Sequence, residues 1–541
     1  MIDSLKRASH VALLLTLTGA AAACAPTDDS TPVTGDENDL TSVTARERTM
    51  TFEGYVYVKD GASDFTILQA VRKETKSGFG AIRTAEVSAN NRELADVDVK
   101  DFVKEPVTIV DPKSPAAPPT KALRVRYKYT DRALVPLAMA KRSALSLSLL
   151  HGNYDLQTKR ILTECTENTK HDQEFESAIW YVFNPSLAVC KDAVAAEQQV
   201  IDTARKGLTD PGTQIVKEEM SRLYLPITAK FESVATTTKK TFPEYDRLWS
   251  GGVEPGKVVV SMVSGVMADW AAGEKPATIN DVGYTMYFQE LREIIKARPN
   301  FKLVSSEGID LTSFTAGTKS VKGATWKDLQ SWELDGAGWP AGITTAADKL
   351  ALRTAVADKL TRHWLRWEAP FNVKIGSAAA KDVTVVINTY YGAETSEVPH
   401  RKALQTSDVV IYNGHSYIGS GPLDPSRYSE SDFPKSYQLF FFNSCVSFNY
   451  YEKDFFKMKG GEQNLDMITN GLESWVDGSG PAMGKFVAAL LNGKQLAYKD
   501  LLIETAKGAP GYDFGQDALR VVDGELANTY RSTTKIVVTP K

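Results

Sequence analysis

The sequence lacks most of the short motifs that identify metal-dependent or serine-dependent enzymes. Its 541 residues include only six histidines and four cysteines, and neither H-E-x-x-H nor C-x-x-C occurs. Zinc sites usually present ligands at such short spacings. G-x-S-x-G, the elbow of serine hydrolases, is also absent. We therefore predict neither a metal nor a cofactor.

The chain also lacks a strong excess of charge of one sign. Its formal net charge is −4, spread over 541 residues. Nucleic-acid-binding domains usually carry a concentrated basic surface. We therefore expect no nucleic-acid partner, and the composition makes no prediction about the oligomeric state.

The longest apolar run near the N-terminus is too short to span a bilayer. It covers residues 11–23, follows Lys6 and Arg7, and ends in small residues. This pattern predicts a secretory signal peptide over residues 1–23. The context TGAAAAC around Cys24 resembles the lipidation site of bacterial lipoproteins, and Ala25 favours the outer membrane over inner-membrane retention. We expect an exported, lipid-anchored protein facing the periplasm or the cell surface; the alternative is an ordinary cleavage site with Cys24 incidental.

Composition and periodicity divide the rest of the chain into three parts. Residues 24–47 are polar and acidic, which predicts a flexible tether. Residues 48–250 predict a mixed β then α region of unknown role. In it MTFEGYVYV, FTILQAV and GFGAIRTAEV are interpreted as strands and TQIVKEEMSRLYL as a helix. Residues 255–541 alternate apolar strands with helices, which predicts an α/β domain.

The four cysteines have different expected roles. Cys165 and Cys190 lie 25 positions apart and would form a disulfide in an oxidising compartment. If Cys24 carries lipid, Cys445 remains as a single thiol. Such a thiol is either buried and inert or kept for its reactivity.

His415 and Cys445 occupy similar places in the predicted α/β domain. DVTVVINTYYG, DVVIYNGHS and QLFFFNSC are apolar strands separated by stretches long enough for crossovers, which predicts a mostly parallel sheet covered on both faces. Function gathers at the carboxyl ends of strands in such sheets. His415 and Cys445 each follow a strand end, so we expect a base and a nucleophile on one edge.

The backbone around the two residues would complete the site. We expect the N–H of Cys445 and an N–H from the turn containing Gly414 and Ser416 to form an oxyanion hole. Asn413 and Asn443, the last residues of the two strands, are candidates to orient the pair through their amides.

The segments DVVIYNGHSYIGSG and YQLFFFNSCVS resemble the histidine and cysteine blocks of the caspase-like cysteine peptidases, which include gingipains and clostripain. The resemblance implies a caspase-like α/β/α sandwich. It also implies cleavage of a protein or peptide substrate by a His415–Cys445 dyad. SWVDGSG resembles the family's substrate-pocket loop, which makes Ser474, Trp475 and Asp477 candidate pocket residues. Asp477 would suit an Arg or Lys side chain; the alternative is a solvated loop aspartate.

Two departures from the family pattern support a second hypothesis. Ser416 stands where the family usually has Gly, and Ser444 stands where it often has Ala. A catalytically inactive domain of the same fold, acting as a binding or scaffold lipoprotein of the cell envelope, is therefore the alternative function.

Overall fold

A computed structural model describes residues 40–541 apart from 115, 168–171, 235–239, 269–272, 274, 276, 394 and 510–518, and apart from the side chains of 172–174. The predicted signal peptide, Cys24 and most of the predicted tether lie outside the described residues. The described residues belong to one compact unit. They form a mixed α/β structure, which confirms the predicted class.

The strands of the described residues vary in length from two residues to 17. They are β1 Thr41–Ser42, β2 Ala45–Lys59, β3 Ser88–Ala89, β4 Val103–Val110, β5 Thr120–Pro136, β6 Ala144–Leu150, β7 Gln214–Val216, β8 Tyr224–Ser233, β9 Lys257–Gly265, β10 Lys302–Ser305, β11 Ser313–Ala316, β12 Lys319–Lys322, β13 Trp364–Ile375, β14 Lys381–Ala393, β15 Val409–Asn413, β16 Gln438–Asn443, β17 Leu465–Asn470, β18 Arg520–Asp523 and β19 Ile536–Pro540.

The α-helices vary from single turns to five turns. They are α1 Asp64–Arg83, α2 Thr158–Glu164, α3 Ile179–Val182, α4 Ala188–Arg205, α5 Lys217–Met220, α6 Tyr245–Ser250, α7 Val282–Ala297, α8 Trp326–Gln330, α9 Ala346–Leu360, α10 Val398–Thr406, α11 Ser447–Lys459, α12 Ser479–Leu490 and α13 Tyr498–Ala506.

Two large sheets divide the chain close to the boundary that the sequence suggests. A seven-stranded sheet has the order β6-β8-β2-β5-β4-β7 with β3 on β5, and a ten-stranded sheet has the order β1-β18-β17-β16-β15-β9-β14-β13-β10 with β19 on β13. The one exception is β1, which lies at the N-terminal end of the described chain and pairs with β18 in the large sheet.

The large sheet has a parallel centre and antiparallel margins. Strands β14, β9, β15, β16 and β17 are parallel neighbours. The remaining five pairings of the described strands are antiparallel. The expectation of a mostly parallel sheet is therefore wrong for the margins, although it holds where β15 and β16 end.

Alternate residues of the central strands pack into two different cores, so both faces of the large sheet are covered. Leu439 and Phe441 join α7, α9, α12 and α13 in one core. Phe440 and Phe442 join α10, α11 and the seven-stranded sheet with α1 in the other. The N-terminal half of the chain is thus part of the layer that covers one face.

Three local predictions differ from the structure. FTILQAV and GFGAIR belong to α1, a helix whose N-cap Ser63 accepts from the N–H of Thr66. TQIVKEEMSRLYL contains β7, the short helix α5 and the start of β8 rather than one helix. The tether was expected to reach residue 47, yet β2 begins at Ala45.

Helix α1 approaches the segment around α3 very closely at Gly80. A Cβ placed on Gly80 would lie 2.5 Å from the carbonyl oxygen of Phe183 and 2.7 Å from that of Trp180. Only glycine fits at that distance. This contact fixes α1 and α3 as one wall beside the strand ends described next.

Candidate active site

The ends of β15 and β16 bring His415 and Cys445 to equivalent positions. Asn413 and Asn443 are register partners in the parallel pair. His415 and Cys445 each follow two residues later, and both are half-buried. Neighbouring strands lie about 4.8 Å apart, so His415 and Cys445 follow adjacent strands at the same edge of the large sheet.

The imidazole of His415 is held through one of its two ring nitrogens. Its Nε2 lies 2.9 Å from the carbonyl oxygen of Ala268. A carbonyl only accepts, so Nε2 carries a proton. The hydroxyl of Tyr412 donates to the carbonyl of His415 at 2.7 Å. These two contacts hold the ring and the carbonyl of His415 at the end of β15.

Gly414 was predicted to supply backbone to an oxyanion hole, but the structure shows a different need for glycine at this position. A Cβ on Gly414 would lie 2.5 Å from the hydroxyl of Tyr412. Its N–H donates to the carbonyl of Asn443 at 3.4 Å. Gly414 thus admits the tyrosine that fixes His415, and its N–H is already used between the two strands.

The backbone on both sides of the pair adopts conformations that side chains disfavour. Tyr417, Ile418 and Val446 have φ values of 51°, 55° and 53°. A positive φ is unusual for bulky residues and an outlier for β-branched ones. Such conformations cost about 1–3 kcal/mol each and cluster at functional sites. The turns after His415 and after Cys445 both contain them.

Two backbone N–H groups near the pair have no acceptor among the described residues. They belong to Ser416 and Cys445. The carbonyl of Ser416 is fixed by the N–H groups of Gly419 at 3.0 Å and Gly421 at 3.1 Å. Neither of these two predicted oxyanion donors is therefore used by another group of the described residues.

The Cys445 thiol is shifted away from its ionised form. Burial raises its pKa, the carboxylate of Glu473 adds to the rise, and Ser474 and Arg83 oppose it. The hydroxyl of Ser474 lies 3.9 Å from Sγ. A thiol in this environment needs a base to remove its proton during a reaction.

Arg83, Tyr181 and Glu473 surround the thiol and were missed from the sequence. The guanidinium of Arg83 ion-pairs with Glu473, lies 4.6 Å from the ring centroid of Tyr181 and donates to the Tyr181 carbonyl at 3.0 Å. Glu473 could have been suspected because it precedes Ser474. Arg83 and Tyr181 carry no sequence signal, since they lie far from Cys445 in the chain.

The other pocket candidates have unequal support. Ser474 contacts the thiol, whereas Trp475 is 47% exposed and Asp477 is exposed on the same loop. An exposed tryptophan beside a candidate site provides apolar surface for a ligand. The role of Asp477 stays a prediction.

The strand-end asparagines form a buried network beneath the pair. Asn443 donates to Asn413 at 2.9 Å, and Asn413 donates to Glu290 at 2.8 Å. Asn443 also accepts from Asn470 at 3.1 Å and from Arg520 at 3.0 Å. Burial raises the pKa of Glu290 to about 7. The amides thus join the strand ends to one another, and the expectation that they hold the dyad side chains is not supported by these contacts.

The N-terminal half also holds the loop that follows His415. Arg92 donates to the carbonyl of Gly419 at 2.6 Å and pairs with Asp424 at 2.9 Å. Asn449 of α11 donates to the carbonyl of Ala89 at 2.8 Å. The N-terminal half therefore contacts both the loop after His415 and the helix after Cys445.

The remaining predicted site residues lie elsewhere. Cys165 and Cys190 form the expected disulfide, with an S–S distance of 1.98 Å. Cys24 lies outside the described residues. Within the described ranges no group of three or more His, Cys, Asp or Glu side chains is arranged to hold a metal ion.

Comparisons of the sequence with protein-family models and with curated proteins identify no relative. No protein-family model matches the chain, and no curated protein matches it. In the part of the chain that the structure describes, every helix is too short or too polar to cross a membrane.

Proposed function

We propose that the chain is an exported cysteine endopeptidase with a caspase-like domain and a His415–Cys445 dyad. The observation that carries this proposal is the matched placement of an oriented imidazole and a thiol two residues beyond paired strand ends. The two N–H groups of Ser416 and Cys445, which have no acceptor among the described residues, support it.

In the proposed reaction, Sγ of Cys445 bonds to the substrate carbonyl carbon as its proton passes to the imidazole of His415. The N–H groups of Ser416 and Cys445 hold the oxyanion. Collapse breaks the C–N bond, and His415 gives its proton to the leaving amine. Water then hydrolyses the thioester and regenerates the thiol.

The substrate would be a protein or peptide, and the protein would reach the outer membrane through lipid on Cys24. These two statements rest on the sequence patterns around His415, Cys445 and Cys24. A gel shift of the mature protein after growth with a fatty-acid probe, absent in Cys24→Ser, tests the anchor.

Labelling with a peptidyl acyloxymethyl ketone tests the enzyme. We expect stoichiometric modification of Cys445, abolished in Cys445→Ala and strongly reduced in His415→Ala. His363→Ala is the matched control, because that half-exposed histidine lies outside the site, 3.9 Å from a carboxylate oxygen of Glu307. Equal labelling of the His415→Ala and unsubstituted proteins would contradict a dyad.

A non-catalytic scaffold is the second candidate, and the raised pKa of the Cys445 thiol favours it. A thiol kept protonated by burial and a neighbouring carboxylate is a poor nucleophile without effective proton removal. Failure of the ketone to label the folded protein, with full labelling after denaturation, would support this candidate.

A further inference from the structure

A large open groove lies along the outer face of α1, and its lining contains neither His415 nor Cys445. Its volume is about 960 Å³, and α1 forms one wall with Arg72, Lys73 and Lys76. Tyr154 and Trp180 contribute to the opposite side. This volume lies at the upper end of the range for ligand sites. We call it the α1 groove.

Two lysines of the α1 groove are held in fixed positions. Nζ of Lys73 lies 4.7 Å from the ring centroid of Tyr154 and 2.6 Å from Asp155. Nζ of Lys76 lies 4.2 Å from the ring centroid of Trp180 and 2.7 Å from Glu93. Cation–π and ion-pair contacts together organise both ammonium groups.

The α1 groove contains equal numbers of positive and negative side chains, which favours a polypeptide over a phosphate or nucleotide as its ligand. Three cations face three carboxylates, those of Glu93, Asp155 and Glu176. A phosphate or nucleotide would meet as many like charges as opposite ones, and it would have to displace the two ion pairs. A polypeptide carries backbone donors and acceptors and side chains of both signs, so it fits such a surface.

Arg72 is the cation available to a ligand. It is exposed, and within the described ranges it has no ion-pair partner. An acidic side chain of a bound polypeptide would form a charge-assisted contact with its guanidinium.

The groove and the surroundings of Cys445 share two elements, α1 and α3. Lys76 and Arg83 lie seven residues apart on α1, which is about 10 Å along the helix. Trp180, which contacts Lys76, and Tyr181, which contacts Arg83, are consecutive residues. Arg83 pairs with Glu473, next to the serine that contacts Sγ.

We propose that the α1 groove binds a segment of an unfolded polypeptide substrate, remote from the bond that is cut and carrying an acidic residue for Arg72. This proposal rests on the proposed function. Arg72 lies eleven residues from Arg83, about 16 Å along α1. An extended chain covers that length with roughly five residues.

The test compares a long and a short substrate. The variants are Arg72→Glu, which reverses the free cation, and Ser177→Trp, which fills the groove from an exposed position. For reduced, carboxymethylated lactalbumin we expect kcat/KM to fall about tenfold through KM. For a short fluorogenic peptide we expect no change.

Lys494→Glu is the matched control, because it reverses an exposed cation away from the groove. It should leave both substrates unaffected. The proposal is overturned if Arg72→Glu and Ser177→Trp leave lactalbumin hydrolysis unchanged, or if they slow both substrates equally.

Binding separates failure of this proposal from failure of the proposed function. Fluorescein-labelled carboxymethylated lactalbumin is titrated into the Cys445→Ala protein, and anisotropy is measured. About tenfold weaker binding by the Arg72→Glu and Ser177→Trp forms supports the groove even if no hydrolysis is seen. Absence of binding, equal binding by all forms, or full displacement by inorganic phosphate overturns it.

Discussion

At the scale of single residues, the environment of Cys445 depends on an ion pair formed by distant parts of the chain. Arg83 lowers the thiol pKa and Glu473 raises it. The two side chains are paired with each other. Each therefore partly cancels the effect of the other on the thiol.

Removing Glu473 and removing Arg83 should shift the pKa of the Cys445 thiol in opposite directions. In Glu473→Gln the pKa of Cys445 should fall, because a neighbouring anion is lost. In Arg83→Met the pKa of Cys445 should rise, because the carboxylate of Glu473 is left without its cation. The measurement is the pH profile of iodoacetamide alkylation at Cys445 in a Cys24→Ser background. We expect shifts of about one pH unit, to lower and higher pH respectively, and none in Lys494→Glu. Shifts of the same sign would contradict this assignment.

The buried hydroxyl of Ser444 is expected to lower the stability of the protein. Its side chain is buried, and its hydroxyl has no partner among the described residues. A buried hydroxyl without a partner costs about 1–3 kcal/mol. We expect Ser444→Ala to raise the free energy of unfolding by about 1 kcal/mol in urea titrations.

Ser447 provides the matched comparison for that substitution. Its hydroxyl donates to the carbonyl of Phe442 at 2.8 Å and accepts from the N–H of Asn470 at 2.8 Å. Ser447→Ala should therefore lower the free energy of unfolding by about 1–2 kcal/mol. Loss of stability in both variants would show that the Ser444 hydroxyl is in fact satisfied.

At the scale of elements, sequence periodicity was sufficient for the strands that position the pair. β14, β15 and β16 are apolar runs, so all three were predicted. At the start of α9, Thr345 forms a capping box with Asp348. Such local signals do not depend on the rest of the fold.

The elements of the N-terminal half were harder to predict for a physical reason. FTILQAV is a short apolar run, which periodicity assigns equally well to a strand or a buried helix. Its helical state becomes evident only with Ile67, Val71, Gly78 and Ile82, all buried on one face of α1. The contact of Arg83 with Glu473 spans 390 positions, so no local pattern could reveal it.

The network under the strand ends predicts a pH dependence of stability. Burial raises the pKa of Glu290 from 4.5 to about 7. Its favourable contribution is therefore fully present below pH 4.5 and is lost as the pH rises through 7. Relative to the unsubstituted protein, Glu290→Gln should become more stable between pH 5 and pH 8, by on the order of 2 kcal/mol.

Urea titrations at the two pH values check this expectation. Asp281→Asn is a useful comparison, because that carboxylate also has a raised pKa from burial but lies outside the strand-end network. A Glu290→Gln effect that is equal at pH 5 and pH 8 would mean that the carboxyl group does not titrate in this range.

At the scale of the whole molecule, the two sheets share one core rather than forming separate domains. Residues of both sheets belong to a single apolar cluster that includes Phe52, Tyr127, Phe440 and Phe442. Buried polar contacts cross the same boundary, among them Asn90 to Glu452 at 2.8 Å. The N-terminal half is therefore a structural partner of the site.

This shared core predicts cooperative unfolding. Large chains with separate domains usually unfold in several steps. Here we expect tryptophan fluorescence and far-ultraviolet circular dichroism to report one coincident urea transition. Two separated transitions, or a soluble and cooperatively folded fragment of residues 255–541, would contradict a common core.

The close approach at Gly80 has a consequence for how the two halves communicate. A single added methyl group there would collide with main-chain oxygens on both sides of Tyr181. It would push α1 and α3 apart. The guanidinium of Arg83 would then move away from the ring of Tyr181 beside the thiol. Gly80, more than 360 positions before Cys445 in the chain, therefore fixes how Arg83 and Tyr181 are placed beside the thiol.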